Sequence, residues 1–208
     1  MERAAKRQIV EALILAAAEP VSAAKIAVVV PHCTPELVCK LVEELNAEYN
    51  EQQRAFEIWE VAGGFQFRTR LAYARYLQQL QAQRPLRLSH AALETLAIVA
   101  YRQPATRAEI EHVRGVDVGP ILRGLIERKL VRITGHRDVA GRPLLYATTP
   151  RFLEVFGLRS LEDLPTLRDL RELSGGNAQR AVPASEGEAD LENLEAAATE
   201  MLPEAELH

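Results

Sequence analysis

Cysteine is nearly missing from this chain. Cys33 and Cys39, separated by five residues, fit neither a disulfide framework nor a Cys-x-x-Cys pair. A reduced, cytoplasmic setting is expected. Cys39 falls beside the apolar face of a helical stretch and reads as a small buried residue rather than a ligand. No run approaches the roughly 18 consecutive apolar residues that a membrane span needs. Met1-Glu2-Arg3 leads straight into a charged amphipathic stretch, so no signal peptide and no membrane partner are expected. His90, His112 and His136 are scattered, and no second Cys or His pair lies near His32 and Cys33, so no metal site is expected. Gly63-Gly64 and Gly175-Gly176 match no phosphate-binding fingerprint, and no nucleophile elbow is present. These absences argue against an enzyme and against a bound cofactor.

What is present is an ordinary soluble composition, 48% hydrophobic over 208 residues, with an uneven distribution of charge. Residues 1–84 carry ten basic and ten acidic side chains, and residues 85–173 fourteen basic and eleven acidic. Residues 174–208 carry one basic and eight acidic, so the net charge of −4 is set by the tail. That tail, rich in Ala, Glu and Gly, reads as disordered, with Asp190 to Met201 able to form a helix on a partner. Before it, Leu167, Leu170 and Leu173 suggest one small helix.

The stretch from Leu88 to Leu158 reads as three helices, a hairpin and a further helix. Ser89 caps the first helix, in which Leu93, Leu96, Ala97, Ala100 and Tyr101 recur at helical spacing as one apolar face. Gln103-Pro104 stops it. Thr106 and Glu109 form a capping box for a second helix ending at Gly115. Ile121, Leu122, Leu125 and Ile126 mark the third. Val131 and Ile133 alternate as a strand, Gly141 permits a turn, and Pro143 to Thr148 returns. Helix, helix, helix, hairpin is the order of a winged helix.

The first half repeats it. Arg3 to Ala18 predicts a helix with Ile9, Leu13 and Ala16 on one face and Val10 and Ile14 beside it. Ser22 caps a second helix through Val30, and Thr34-Pro35 starts a third with Leu37, Val38, Leu41, Val42 and Leu45 inward. Phe56 to Val61 and Phe65 to Thr69 flank Gly63-Gly64 as strands, with Phe65 and Phe67 on one side. Tyr73, Tyr76, Leu77 and Leu80 mark a closing helix. Pro20, Ile26, Leu37 and Leu41 align with Pro104, Ile110, Ile121 and Leu125 at an offset of 84. The expected fold is mainly α with small β-hairpins: two tandem winged-helix domains, 1–84 and 85–173, joined near Gln83-Arg84-Pro85, then the acidic tail 174–208.

A winged helix that reads DNA offers Arg, Asn, Gln or Lys near the start of its third helix. Here the first copy offers Glu36, Glu43, Glu44 and Glu48 against Lys40, and the second begins Val116-Asp117-Val118-Gly119-Pro120. Arg123, Arg128, Lys129, Arg132 and Arg137 could touch a phosphate backbone, so a DNA-binding transcriptional regulator stays open as the alternative, with any DNA contact expected to be weak or indirect. Protein binding fits better. Arg107, Arg114, Val116, Val118 and Arg142 are candidates for a docking surface, although core packing explains the valines equally well. Trp59, the single tryptophan, is either packed under a helix or an interface anchor.

The segments LSHAALETLAIVAYRQPATRAEIEHVRGV (88–116) and GRPLLYATTPRFLEVFGL (141–158) closely resemble the ScpB family of segregation and condensation proteins. AEPVSAAKIA, ELVCKLVEELNAEYN and VAGGFQFRTRLAYARYL in the first half look like its N-terminal domain. The likeness runs from about Ile9 to Leu173. Within it Glu94, Tyr101, Gln103, Pro104, Arg107, Arg114, Gly115, Gly141, Arg142, Pro143 and Tyr146 match the family pattern; Tyr101 is expected in the core. Lys129 stands where glycine is common, His136 where arginine is, and Ala140 where proline is. The resemblance implies two tandem winged-helix domains in a non-enzymatic subunit that dimerises largely through its N-terminal domains. It also implies that this subunit clamps the central segment of the kleisin ScpA, and through it joins SMC, in chromosome condensation and partition at the nucleoid.

Overall fold

A computed structural model of the protein describes residues 2–80, 87–166 and 169. The expected junction at Gln83-Arg84-Pro85, the small helix at Leu167 to Leu173 and the acidic tail with its Asp190–Met201 segment lie outside the described residues. The described part is mainly helical with two small antiparallel sheets. The described residues gather into two compact units, one of 2–45, 58–66 and 87–164, the other of 46–57, 67–80, 165–166 and 169.

Helix α1 (Arg3–Ala16) buries Val10 and Ile14, so its inner face centres on the residues expected only to flank it. Ser22 accepts the Lys25 amide and caps α2 (Ala23–Val29), which buries Ile26. Thr34 accepts the Leu37 amide at 3.3 Å and opens α3 (Pro35–Glu51). Val38, Leu41, Val42 and Leu45 are buried as the spacing predicts, while Cys39 is exposed, contrary to expectation. It lies one position past Val38, just off the inward stripe. Strands β1 (Phe56–Val61) and β2 (Gly64–Thr69) pair across a two-residue turn whose Ala62 and Gly63 both have positive φ, the backbone a tight hairpin demands. Val21, just ahead of α2, bridges antiparallel to Phe65.

The same order follows again. Ser89 caps α5 (His90–Arg102) by accepting the Ala92 amide. Here the expected face is corrected: Thr95, Leu96, Val99 and Ala100 point inward, whereas Leu93 and Tyr101 are 43% and 46% exposed and Ala97 is exposed too. Thr95 reaches burial because its hydroxyl donates to the Ala91 carbonyl at 2.8 Å, leaving no polar atom to satisfy. After α5 comes a two-residue strand the periodicity did not reveal, β3 (Ala105–Thr106). Next come α6 (Arg107–Arg114), with the capping box of Thr106 and Glu109 formed in both directions, and α7 (Gly119–Glu127). Gly115 ends α6 at φ 71. Strands β4 (Val131–His136) and β5 (Leu144–Thr148) complete a sheet of order β3-β5-β4. The β4–β5 register slips between Ile133 and Gly135, a bulge in the outer strand. Helix α8 (Pro150–Phe156) follows, capped by Thr149. One core cluster holds Leu96, Val99, Ile110, Val118, Leu122, Leu125, Leu130, Val131, Tyr146 and Phe152 together.

In the second unit, Tyr49, Phe56 and Phe67 form an edge-to-face aromatic cluster, with ring centroids 5.0 Å (Tyr49–Phe56) and 5.6 Å (Phe56–Phe67) apart. The Arg68 guanidinium donates to Glu57 at 2.6 Å. A 3-10 turn (Leu71–Tyr73) leads into α4 (Ala74–Leu80), and Leu71 of the turn and Tyr76 and Leu80 of the helix are exposed.

Candidate functional site

The α6–α7 connection is built around Arg107. From the first turn of α6 its guanidinium donates to Glu111 Oε1 at 2.6 Å and to Asp117 Oδ1 at 2.7 Å. Both carboxylates also hold backbone: Glu111 accepts the Val118 amide at 3.2 Å and Asp117 the Gly119 amide at 2.7 Å. The Glu111 bond raises the Arg107 pKa, and the Gly119 amide lowers that of Asp117. The fit at Gly119 is close: a Cβ there would stand 3.0 Å from Arg107 Nη1 and 3.1 Å from its Cζ, so the guanidinium would have to shift to admit one. Arg107 therefore shapes a loop with its charge already matched. It lines a groove of about 450 Å3 whose floor includes Leu122, Ile126 and Tyr146. A second, shallower groove beside it runs past His112 and Val116.

The other candidates separate. Val116 is 54% exposed at the same loop, but Val118 is 0% exposed and packs in the core, so it offers nothing to a partner. Arg114 pairs with Glu94, with a side chain only 16% exposed, and ties α6 to α5. Arg142 is exposed in the β4–β5 turn at φ 39, and no ion pair to it is found among the described residues. Trp59 is 37% exposed on β1, between buried Ile58 and Val61. Arg107 and Val116 share a groove; Arg142 and Trp59 sit on other elements.

Two residues that spacing alone could not single out hold this half together. Gln103 Oε1 accepts from the Thr148 amide at 2.8 Å and from its hydroxyl at 2.9 Å, while Gln103 Nε2 donates to the Ala100 carbonyl at 3.0 Å. One amide thus joins the end of α5 to β5. Arg137, just past β4, donates to Glu109 at 2.6 Å, and this bond, with the Thr106 amide, lowers the Glu109 pKa to about 2.

For nucleic acid the third helices are poorly equipped. Helix α3 exposes Glu36 and Glu43 beside Lys40. Helix α7 opens on Gly119 and Pro120 behind an N-cap, Val118, that supplies no side-chain hydrogen bond. Arg123, Arg128, Lys129 and Arg132 are exposed. Among the described residues no group of three His, Cys, Asp or Glu could hold a metal ion, and no helix is long and apolar enough to cross a membrane.

Comparison with known proteins gives a consistent result. The family model for segregation and condensation complex subunit ScpB matches residues 8–167. Segregation and condensation protein B of Syntrophotalea carbinolica is 48% identical over 174 residues, 84% of this chain and 88% of that protein. Its counterpart in Symbiobacterium thermophilum is 44% identical over 188 residues, 86% of this chain and 85% of that protein. Among solved structures, ScpB from Mycobacterium tuberculosis is 32% identical, covering 76% of this chain and 98% of that one, with a TM-score of 0.36. The chain belongs to the ScpB family of segregation and condensation complex subunits.

Proposed function

We propose that this protein is a non-enzymatic, homodimeric adaptor of the SMC–ScpA–ScpB complex. It is built from two winged-helix domains, 1–84 and 85–173, followed by the acidic segment 174–208. It binds the kleisin ScpA, and through it SMC, in the cytoplasm at the nucleoid, during chromosome condensation and segregation. Family membership over residues 8–167 carries the reading. The recurrence of helix, helix, helix, hairpin supports the domain division: Val21 meets Phe65 in the first copy as Ala105 meets Tyr146 in the second. Third helices ill-suited to base reading favour protein partners over DNA. Exposed Leu71, Tyr76 and Leu80 around α4 support dimerisation through the N-terminal half.

Light scattering of the chain alone and with the central segment of the kleisin tests both parts. The expected masses are a dimer and a heavier complex; a monomer that ignores the kleisin at micromolar concentration defeats the proposal. The alternative, a DNA-binding regulator, draws support from exposed Arg123, Arg128 and Arg132. It requires duplex affinity well beyond the non-specific range of about 10⁻⁴ to 10⁻⁶ M, lost when those three become Ala.

A further inference from the structure

Between the start of α5 and the outer flank of α7 lies a groove of about 290 Å3, lined by Leu88, Ala92, Ile121 and Leu125 with Arg87 and Arg128 among its walls. No carboxylate lines it. Arg128 is held beside it: its Nη1 donates to the Gly124 carbonyl at 3.0 Å, in space where a Cβ on Gly124 would come within 3.2 Å. One of the five guanidinium donors is thereby used, against a neutral carbonyl, and no ion pair to Arg128 is found among the described residues. Arg87 makes no ion pair among the described residues. The contrast with Arg107, which carries two carboxylates, is direct.

We infer that this α5–α7 groove docks a peptide segment of the partner that presents an acidic side chain beside an apolar one. The aliphatic floor takes the apolar residue, and the two arginines take the carboxylate, Arg128 with a fork geometry suited to bidentate pairing. Charge complementarity selects this occupant. A nucleic acid would find a largely aliphatic lining with no aromatic ring on which to stack a base.

The inference rests on the adaptor reading above and assigns the kleisin's central segment to a surface. Fluorescence anisotropy with that labelled segment and the full chain tests it. The Arg87→Glu, Arg128→Glu double variant is expected to bind at least about tenfold more weakly. Arg151→Glu, at an exposed arginine already paired with Glu154 within α8, is expected to bind as the unaltered chain does. Changing the segment's acidic residues to Lys should restore binding to the double variant. Because both groove arginines are exposed or flank a loop, the fold is checked by an unchanged thermal midpoint. If the unaltered chain binds and the double variant binds equally well, the groove assignment falls while the adaptor reading stands. If a short duplex displaces the segment from the unaltered chain, the surface is a nucleic-acid site and the inference is overturned. No binding by the unaltered chain removes both.

Discussion

Lys129 occupies the turn between α7 and β4 with φ 58, where the family resemblance points to glycine. A left-handed conformation costs a side-chain-bearing residue about 1–2 kcal/mol. Glycine removes that cost and returns part of it as unfolded-state entropy. Lys129→Gly should therefore raise stability by about 0.5–1 kcal/mol in urea unfolding; a loss would show that the lysine side chain supports the turn. Glu109 gives a pH signature. Its folded pKa of about 2 lies below the ordinary carboxylate value, so its stabilising effect is complete near neutrality. That effect is lost as pH falls through about 4.5 towards 2. Glu109→Gln should flatten the stability profile in that window; an unchanged slope there would assign acid unfolding to other carboxylates. Leu125, 1% exposed, should cost about 2–5 kcal/mol on truncation to Ala.

At the scale of elements, the caps were the most readable feature, because each rests on one side chain reaching an amide three residues on. Ser22, Thr34, Ser89 and the Thr106–Glu109 box all form where the sequence places them. Thr106→Ala should cost about 1 kcal/mol and loosen α6, seen as faster amide exchange in its first turn. Face assignment failed on α5, whose helix is apolar nearly all round. With Leu93, Leu96, Ala97, Val99, Ala100 and Tyr101 in thirteen residues, spacing supports two faces, and Thr95 hides its polarity in a backbone bond. A two-residue strand such as β3 has no period to read. Val118 illustrates the same limit for the candidate site, since one valine in a polar loop can be an anchor or a plug, and only packing decides. The Arg107 network was only partly legible, for a different reason. Glu111, four positions on in the same helix, follows from helical spacing, but Asp117 lies ten positions on and only the turn after Gly115 brings it round to the same guanidinium.

For the whole molecule, the repeated order of elements was legible because it depends on punctuation and hydrophobic spacing, and the family motif lies within the matched stretch. The surfaces were less so, since an arginine's availability depends on which carboxylates fold near it. Arg107 and Arg128 are alike in sequence and opposite in circumstance. If the third helices are as unfit for bases as their side chains suggest, duplex affinity should stay in the weak, steeply salt-dependent regime. Titrating two duplexes of unrelated sequence at 50 and 200 mM salt checks this: equal affinities that fall together with salt are expected, and a preference for one duplex that persists at the higher salt would contradict it.

The slip in β4 matters beyond its own sheet. An outer strand with regular, open amides invites a neighbour's strand to stitch onto it, and a high local concentration of copies would multiply such accidents. The kink at Ile133 to Gly135 spoils that template, so neighbouring copies do not pair strand to strand along this edge. Straightening it, by deleting Thr134, should lower the concentration at which the protein begins to form sedimenting aggregates.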